Sequence, residues 1–161
     1  MEVVATSVVA VFGTLLGSVV THVFQRRTVI RSERFTRGER LRQERIDAFS
    51  VFGGALANYR RGQMDLWFAM HVHHAESELL EMRREAQRLR AAALEAMFRV
   101  QLLTEASEVV EADRRAVRAI DQIDRAETRT ELDQERATSR TLVYNFISTA
   151  KPHTAVPGKG H

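Results

Sequence analysis

Cysteine is absent from this 161-residue chain, so no disulfide scaffold, thiolate metal site or cysteine nucleophile is available, and cysteine usage says nothing of the redox compartment. Proline occurs only at Pro152 and Pro157, in a tail without hydropathy periodicity that reads as disordered over residues 151–161. Lysine is almost missing: two Lys stand against 22 Arg, a bias that, beside abundant Ala, Val and Leu, reflects coding composition more than arginine chemistry. There is no Gly-rich phosphate loop, no nucleophile elbow and no His/acid/nucleophile spacing that would support catalysis, so no enzymatic activity and no cofactor is expected. Asp121 and Asp124, one turn apart, read as exposed helix charge.

The absence that matters most is of charge between residues 3 and 24, where Val, Leu, Ala, Phe, Gly, Ser and Thr dominate. As a helix at about 1.5 Å per residue, that run reaches roughly 33 Å, close to the roughly 30 Å of bilayer hydrocarbon. Only Met1 and Glu2 precede it, whereas Arg26, Arg27, Arg31, Arg34, Arg37, Arg40, Arg42 and Arg45 follow. By the positive-inside rule this predicts a single-pass anchor in the cytoplasmic membrane, with the N-terminus outside and the body in the cytoplasm. A cleaved signal peptide would want a basic n-region, a shorter apolar core and a small-x-small cleavage site, none of which fits. Gly13 and Gly17 form a GxxxG pattern within a small-residue stripe, the spacing that lets two membrane helices pack closely.

Residues 25–45 carry a local net charge of about +5, while the rest of the body is near neutral. Arg26, Arg27, Arg31, Arg34 and Arg37 are therefore the candidate contacts for anionic lipid head groups. Nucleic acid is not expected there, because Phe35 is the one interleaved aromatic and no binding fold is recognisable.

Beyond the basic stretch, three-and-four spacing governs. Phe49, Phe52, Leu56, Tyr59, Gln63, Leu66 and Met70 form a heptad-like seam, with Arg60, Arg61 and Asp65 falling away from it. Gly53, Gly54 and Gly62 inside this helix suggest a bend or a close crossing. A second helix from about residue 75 to 103 presents Leu79, Met82, Ala86, Leu89, Ala93, Ala96 and Val100, broadened by Leu80, Leu94, Met97 and Phe98, and packs antiparallel on the first. Ser107 is placed as the N-cap of a third helix burying Val109, Ala112, Ala116, Ile120 and Ile123. After a break near residues 126–130, a fourth helix from about 131 to 150 turns Leu132, Leu142, Val143, Phe146 and Ile147 to one side. His71, His74 and Glu78 could share one helical face as metal ligands, but they coincide with the expected turn, with Ser77 as a possible cap, and match no zinc spacing; no metal is expected.

The expected fold is thus all-α: an N-terminal transmembrane helix continuing into a cytosolic antiparallel hairpin or small bundle. Its divisions are an anchor (1–25), a basic juxtamembrane helix (26–45), a helical bundle (46–150) and the tail. The uncharged span, the Arg-rich continuation ending in Arg42-Gln43-Glu44-Arg45, the Phe/Tyr-bearing helix and Val100-Gln101-Leu102-Leu103 before Ser107-Glu108-Val109-Val110 resemble the small single-pass membrane proteins of unknown function of high-GC bacteria. The layout also resembles the rotary ATP synthase peripheral stalk subunit, from which the glycines and the return helix depart. The function these features imply is a membrane-tethered helical scaffold whose partners are membrane lipids and another protein or its own copy. The alternative is a regulator that binds anionic lipid or nucleic acid through the basic stretch.

Overall fold

Long runs of helix-forming residues free of proline allow the first helix to continue where the sequence allowed for a bend. In the computed structural model, which describes the backbone of residues 2–71 and 75–155 and side chains from residue 36 onward, α1 runs without a break over Glu2–His71. It is followed by α2 (Glu76–Leu103), α3 (Ser107–Ile120), a 3₁₀ turn (Ile123–Arg125), α4 (Arg129–Ala150) and a second 3₁₀ turn (Lys151–Thr154). Among the described residues there is no strand. The glycines therefore do not interrupt α1, and the departure they suggested from an uninterrupted stalk is not observed.

The chain divides into two units, Met1–Arg40 and Leu41–His161. The first is helical backbone throughout its described part. Among the described residues no helix is long and apolar enough to cross a membrane, and the side chains of the charge-free run at residues 3–24 lie outside the described set.

The second unit is an up-down-up-down bundle. Arg45 reaches Leu103 at 2.7 Å while Gly62 lies against Ala86 and Leu89, so residue numbers rise on α1 as they fall on α2, the expected antiparallel hairpin. Gln101 meets Asp113 across the turn to α3, and Phe52 and Arg60 of α1 meet Phe146 and Ser139 of α4. The core is the seam read from sequence: Phe49, Phe52, Leu56, Tyr59, Gln63 and Leu66 are buried on α1, with Ala93, Val100, Val109, Ala116, Ile120 and Phe146 facing them. Phe146 stands edge-on to Phe52 with centroids 4.8 Å apart, and to Phe49 at 6.1 Å, the edge-to-face arrangement favoured by aromatic quadrupoles.

Local chemistry explains the corners. The α2–α3 turn has Ala106 at the N-cap position and Ser107 as the first helical residue, so Ser107 is not the cap; instead the Thr104 hydroxyl accepts from the Ala106 N–H at 3.2 Å. Ala75, not Ser77, occupies the N-cap of α2, without a side-chain bond. At α4, Thr128 accepts from Glu131 N–H at 3.2 Å, and the Glu131 carboxylate accepts from Glu127 N–H at 2.8 Å. This reciprocal pairing is a close relative of the capping box and places the helix start two residues earlier than the periodicity suggested.

Several side chains depart from their expected positions. Leu80 and Phe98 of α2 are exposed because each lies far around the helix from the buried Ala93 and Val100; Phe98 is about 200° from Val100. Met82 is exposed too, in turns that precede the first buried contact at Ala86. Ile147 is partly exposed and rests over Gly53, where a methyl group would come within 3.1 Å of its Cδ1. The beginning of the tail is helical, since Lys151–Thr154 form the 3₁₀ turn and the Thr154 carbonyl accepts from Arg42 Nε at 2.8 Å; residues 156–161 lie outside the described set.

Candidate functional site

The densest polar arrangement joins α1, α2 and the end of α3. Tyr59 and Gln63 are one turn apart on the buried seam of α1, so their polar tips emerge together. The Tyr59 hydroxyl donates to Asp121 Oδ1 at 2.5 Å, and Arg90 Nε of α2 donates to the same oxygen at 3.0 Å. Gln63 Nε2 donates to the Tyr59 oxygen at 3.2 Å and to Asp124 Oδ1 at 3.1 Å. Asp121 and Asp124 are thus not outward helix charges: α3 ends at Ile120, and the turn that follows carries both half-buried carboxylates back to α1. Trp67 completes the same end, donating through Nε1 to the Ala126 carbonyl at 2.7 Å.

The electrostatics describe a lock. Burial, reinforced by the Asp121 acceptor, pushes the Tyr59 phenol above its ordinary range, so it stays a neutral donor. Bonding to Asp121 raises Arg90, and burial raises Asp124.

Asp113 forms a second, isolated polar point. It is fully buried on α3, and Gln101 Nε2 donates to both its oxygens at 3.1 and 3.2 Å. Burial pushes its carboxyl up to about 6, against the lowering effects of Gln101 and Arg114. Sequence reading missed it, because an acid between Ala112 and Arg114 looks like surface charge; the signal was its position one residue beyond the inward Ala112 and three before Ala116.

The sequence candidates distribute as follows. Gly13, Gly17, Arg26, Arg27, Arg31 and Arg34 have side chains outside the described residues, and Arg37 is exposed on α1. At the end of the basic stretch, Arg42 and Arg45 turn inward: Arg45 Nε donates to the carbonyl of Leu103, the last residue of α2, as Arg42 does to Thr154. These two cations satisfy helix-end carbonyls and so help to close the bundle. Of the histidine cluster, His71 ends α1, with its ring stacked on Trp67 at 3.9 Å and Nδ1 2.8 Å from the Trp67 carbonyl oxygen. His73 and His74 are outside the described residues, and no metal-competent group occurs among the described ones.

The outer face of α2 carries two exposed large apolar side chains one turn apart. Phe98 is 56 % exposed and Leu102, one turn on, 86 %, on the side away from the buried Ala93 and Val100. Nothing in the periodicity of α2 separated them from the core residues, since the helix is apolar on both sides.

A protein-family model described as KilB plasmid transfer protein matches residues 46–154, from the first bundle turn of α1 to the end of the second 3₁₀ turn. No curated protein and no solved structure matches the chain.

Proposed function

The chain belongs to the KilB plasmid transfer protein family, and from that membership we propose that it is a non-catalytic, membrane-tethered helical scaffold for plasmid transfer, docking a partner protein on the outer face of α2. The observation that carries the docking is the exposure of Phe98 and Leu102 on a helix whose opposite face is already buried. Tethering rests on the charge-free run at residues 3–24 and the one-sided arginines after it, which set the N-terminus outside and the bundle in the cytoplasm. Arg26, Arg27, Arg31, Arg34 and Arg37 contact anionic head groups, and Gly13 and Gly17 pack two spans together. The polar clusters support a non-catalytic reading, since Tyr59, Gln63, Arg90, Asp121 and Asp124 spend their hydrogen bonds on one another.

The test is a pair of substitutions, Phe98→Ser and Leu102→Ser, in the full chain, with plasmid transfer between cells as the readout. Transfer should fall severalfold while the melting temperature holds, because neither side chain is buried. Wild-type transfer by the double variant sinks the docking face. Extraction by alkaline carbonate sinks the tether.

A further inference from the structure

Three arginines converge on the seam between α1 and α4. Arg60, which the periodicity placed away from the core, is half-buried: its Nε donates to Ser139 Oγ at 3.1 Å and its Nη2 to the Arg136 carbonyl at 2.9 Å. Its guanidinium is thereby pinned against α4, where Arg136 and Arg140 stand one turn apart on a single face. Tyr144 follows one turn later and is 67 % exposed.

The charge at this place is poorly compensated. Asp133 accepts from Arg136 Nη1 at 3.1 Å and is shared with Arg129 at 3.4 Å. Among the described residues neither Arg60 nor Arg140 forms an ion pair, the acid of this face being shared by Arg129 and Arg136. Arg136 Nε is buried with no hydrogen-bond partner, an N–H donor that a folded protein rarely leaves unmet. Burial first, then the charges of Arg140 and Arg136, push the Arg60 guanidinium down from its ordinary value. An anion with several acceptor oxygens would relieve the repulsion among the three cations, and guanidinium forks match phosphate geometry.

We propose that Arg60, Arg136 and Arg140 form a binding notch for a phosphate group, with the exposed Tyr144 ring as its outer wall. The phosphate is either free or a phosphodiester of a single strand, whose base would stack on the ring while the arginines hold its backbone. The notch shares no residue with the α2 docking face or with the basic stretch at residues 26–45.

The experiment uses the full chain in a zwitterionic detergent at constant ionic strength. Inorganic phosphate should raise the melting temperature above that in chloride for the wild type and for R118Q, whose substitution on the exposed side of α3 controls for loss of one positive charge. R140Q removes an exposed side chain and so leaves the bundle folded; it should weaken the phosphate response by about tenfold, the scale of one charge-assisted hydrogen bond. Equal melting in phosphate and chloride, or an R140Q response equal to that of the wild type, overturns the notch. A labelled oligothymidylate distinguishes the sources. Displacement by phosphate with weaker binding in both R140Q and Y144A assigns the site to a strand, and binding unchanged by R140Q assigns it to free phosphate.

Discussion

Tyr59 and Asp121, 62 positions apart, are joined by a 2.5 Å hydrogen bond from the phenol of α1 to the carboxylate that follows α3. The bond places a neutral donor and the Arg90 cation on one oxygen, so three segments share a single acceptor. Tyr59→Phe should keep the ring packing and remove the donor, leaving Asp121 with Arg90 and Gln63 with Asp124. The expected loss is about 0.5–1.5 kcal/mol in chemical denaturation, the net contribution of one hydrogen bond whose acceptor keeps another donor. Unchanged stability would mean that water replaces the phenol without penalty.

Phe146 is fully buried, its ring edge-on to both Phe49 and Phe52. Phe146→Ala should cost about 3–5 kcal/mol. Urea unfolding followed by circular dichroism checks this, and a cost below about 1 kcal/mol would show that the α1/α4 contact is loose.

Two glycines of α1 should respond in opposite directions. A Cβ on Gly62 would lie 2.5 Å from Leu89 Cδ1 and 3.9 Å from the Ala86 backbone, whereas one on Gly54 would meet nothing within 4 Å. Gly54→Ala should therefore stabilise by up to about 1 kcal/mol through helix propensity. Gly62→Val should destabilise by about 1–3 kcal/mol through overpacking. Thermal midpoints of the two variants decide it.

Asp113 predicts a pH dependence with a definite sign. Its folded value, about 6, is above the ordinary 3.8, so between these pH values the folded state holds more proton than the unfolded state. Stability should fall as pH rises from about 4 to about 6 and then level off, by an amount on the order of 2–3 kcal/mol. Asp113→Asn should abolish that step and be the more stable form at neutral pH. A wild-type stability curve flat over this range would contradict the raised value of the buried Asp113 carboxyl.

Much of the bundle was legible beforehand, for a physical reason. A helix that buries one stripe must repeat apolar residues at three-and-four spacing, so Phe52, Leu56, Ala93, Val100, Ala116 and Phe146 declare themselves along the chain. Connections as short as the three residues between Leu103 and Ser107 leave little choice but antiparallel neighbours. The same reasoning failed at Phe98 and Leu80, because α2 is apolar on two sides and periodicity alone does not say which side has a partner. It failed at Arg60, Arg42 and Arg45 because a long cationic side chain can leave the solvent face and reach a carbonyl on another helix.

The sequence by itself determined the all-α class, the seam of α1, the hairpin with α2 and the starts of α2, α3 and α4 to within about two residues, since these depend on local propensity and on periodicity along one helix; α3 ends at Ile120, short of the expected break near residues 126–130. Only the tertiary structure decided which polar groups meet. The bonds of Tyr59 to Asp121, Gln63 to Asp124, Gln101 to Asp113 and Arg60 to Ser139 cross between segments 12 to 79 positions apart. Such pairings follow from the rotation and register of packed helices, and no single helix carries that information in its own repeat.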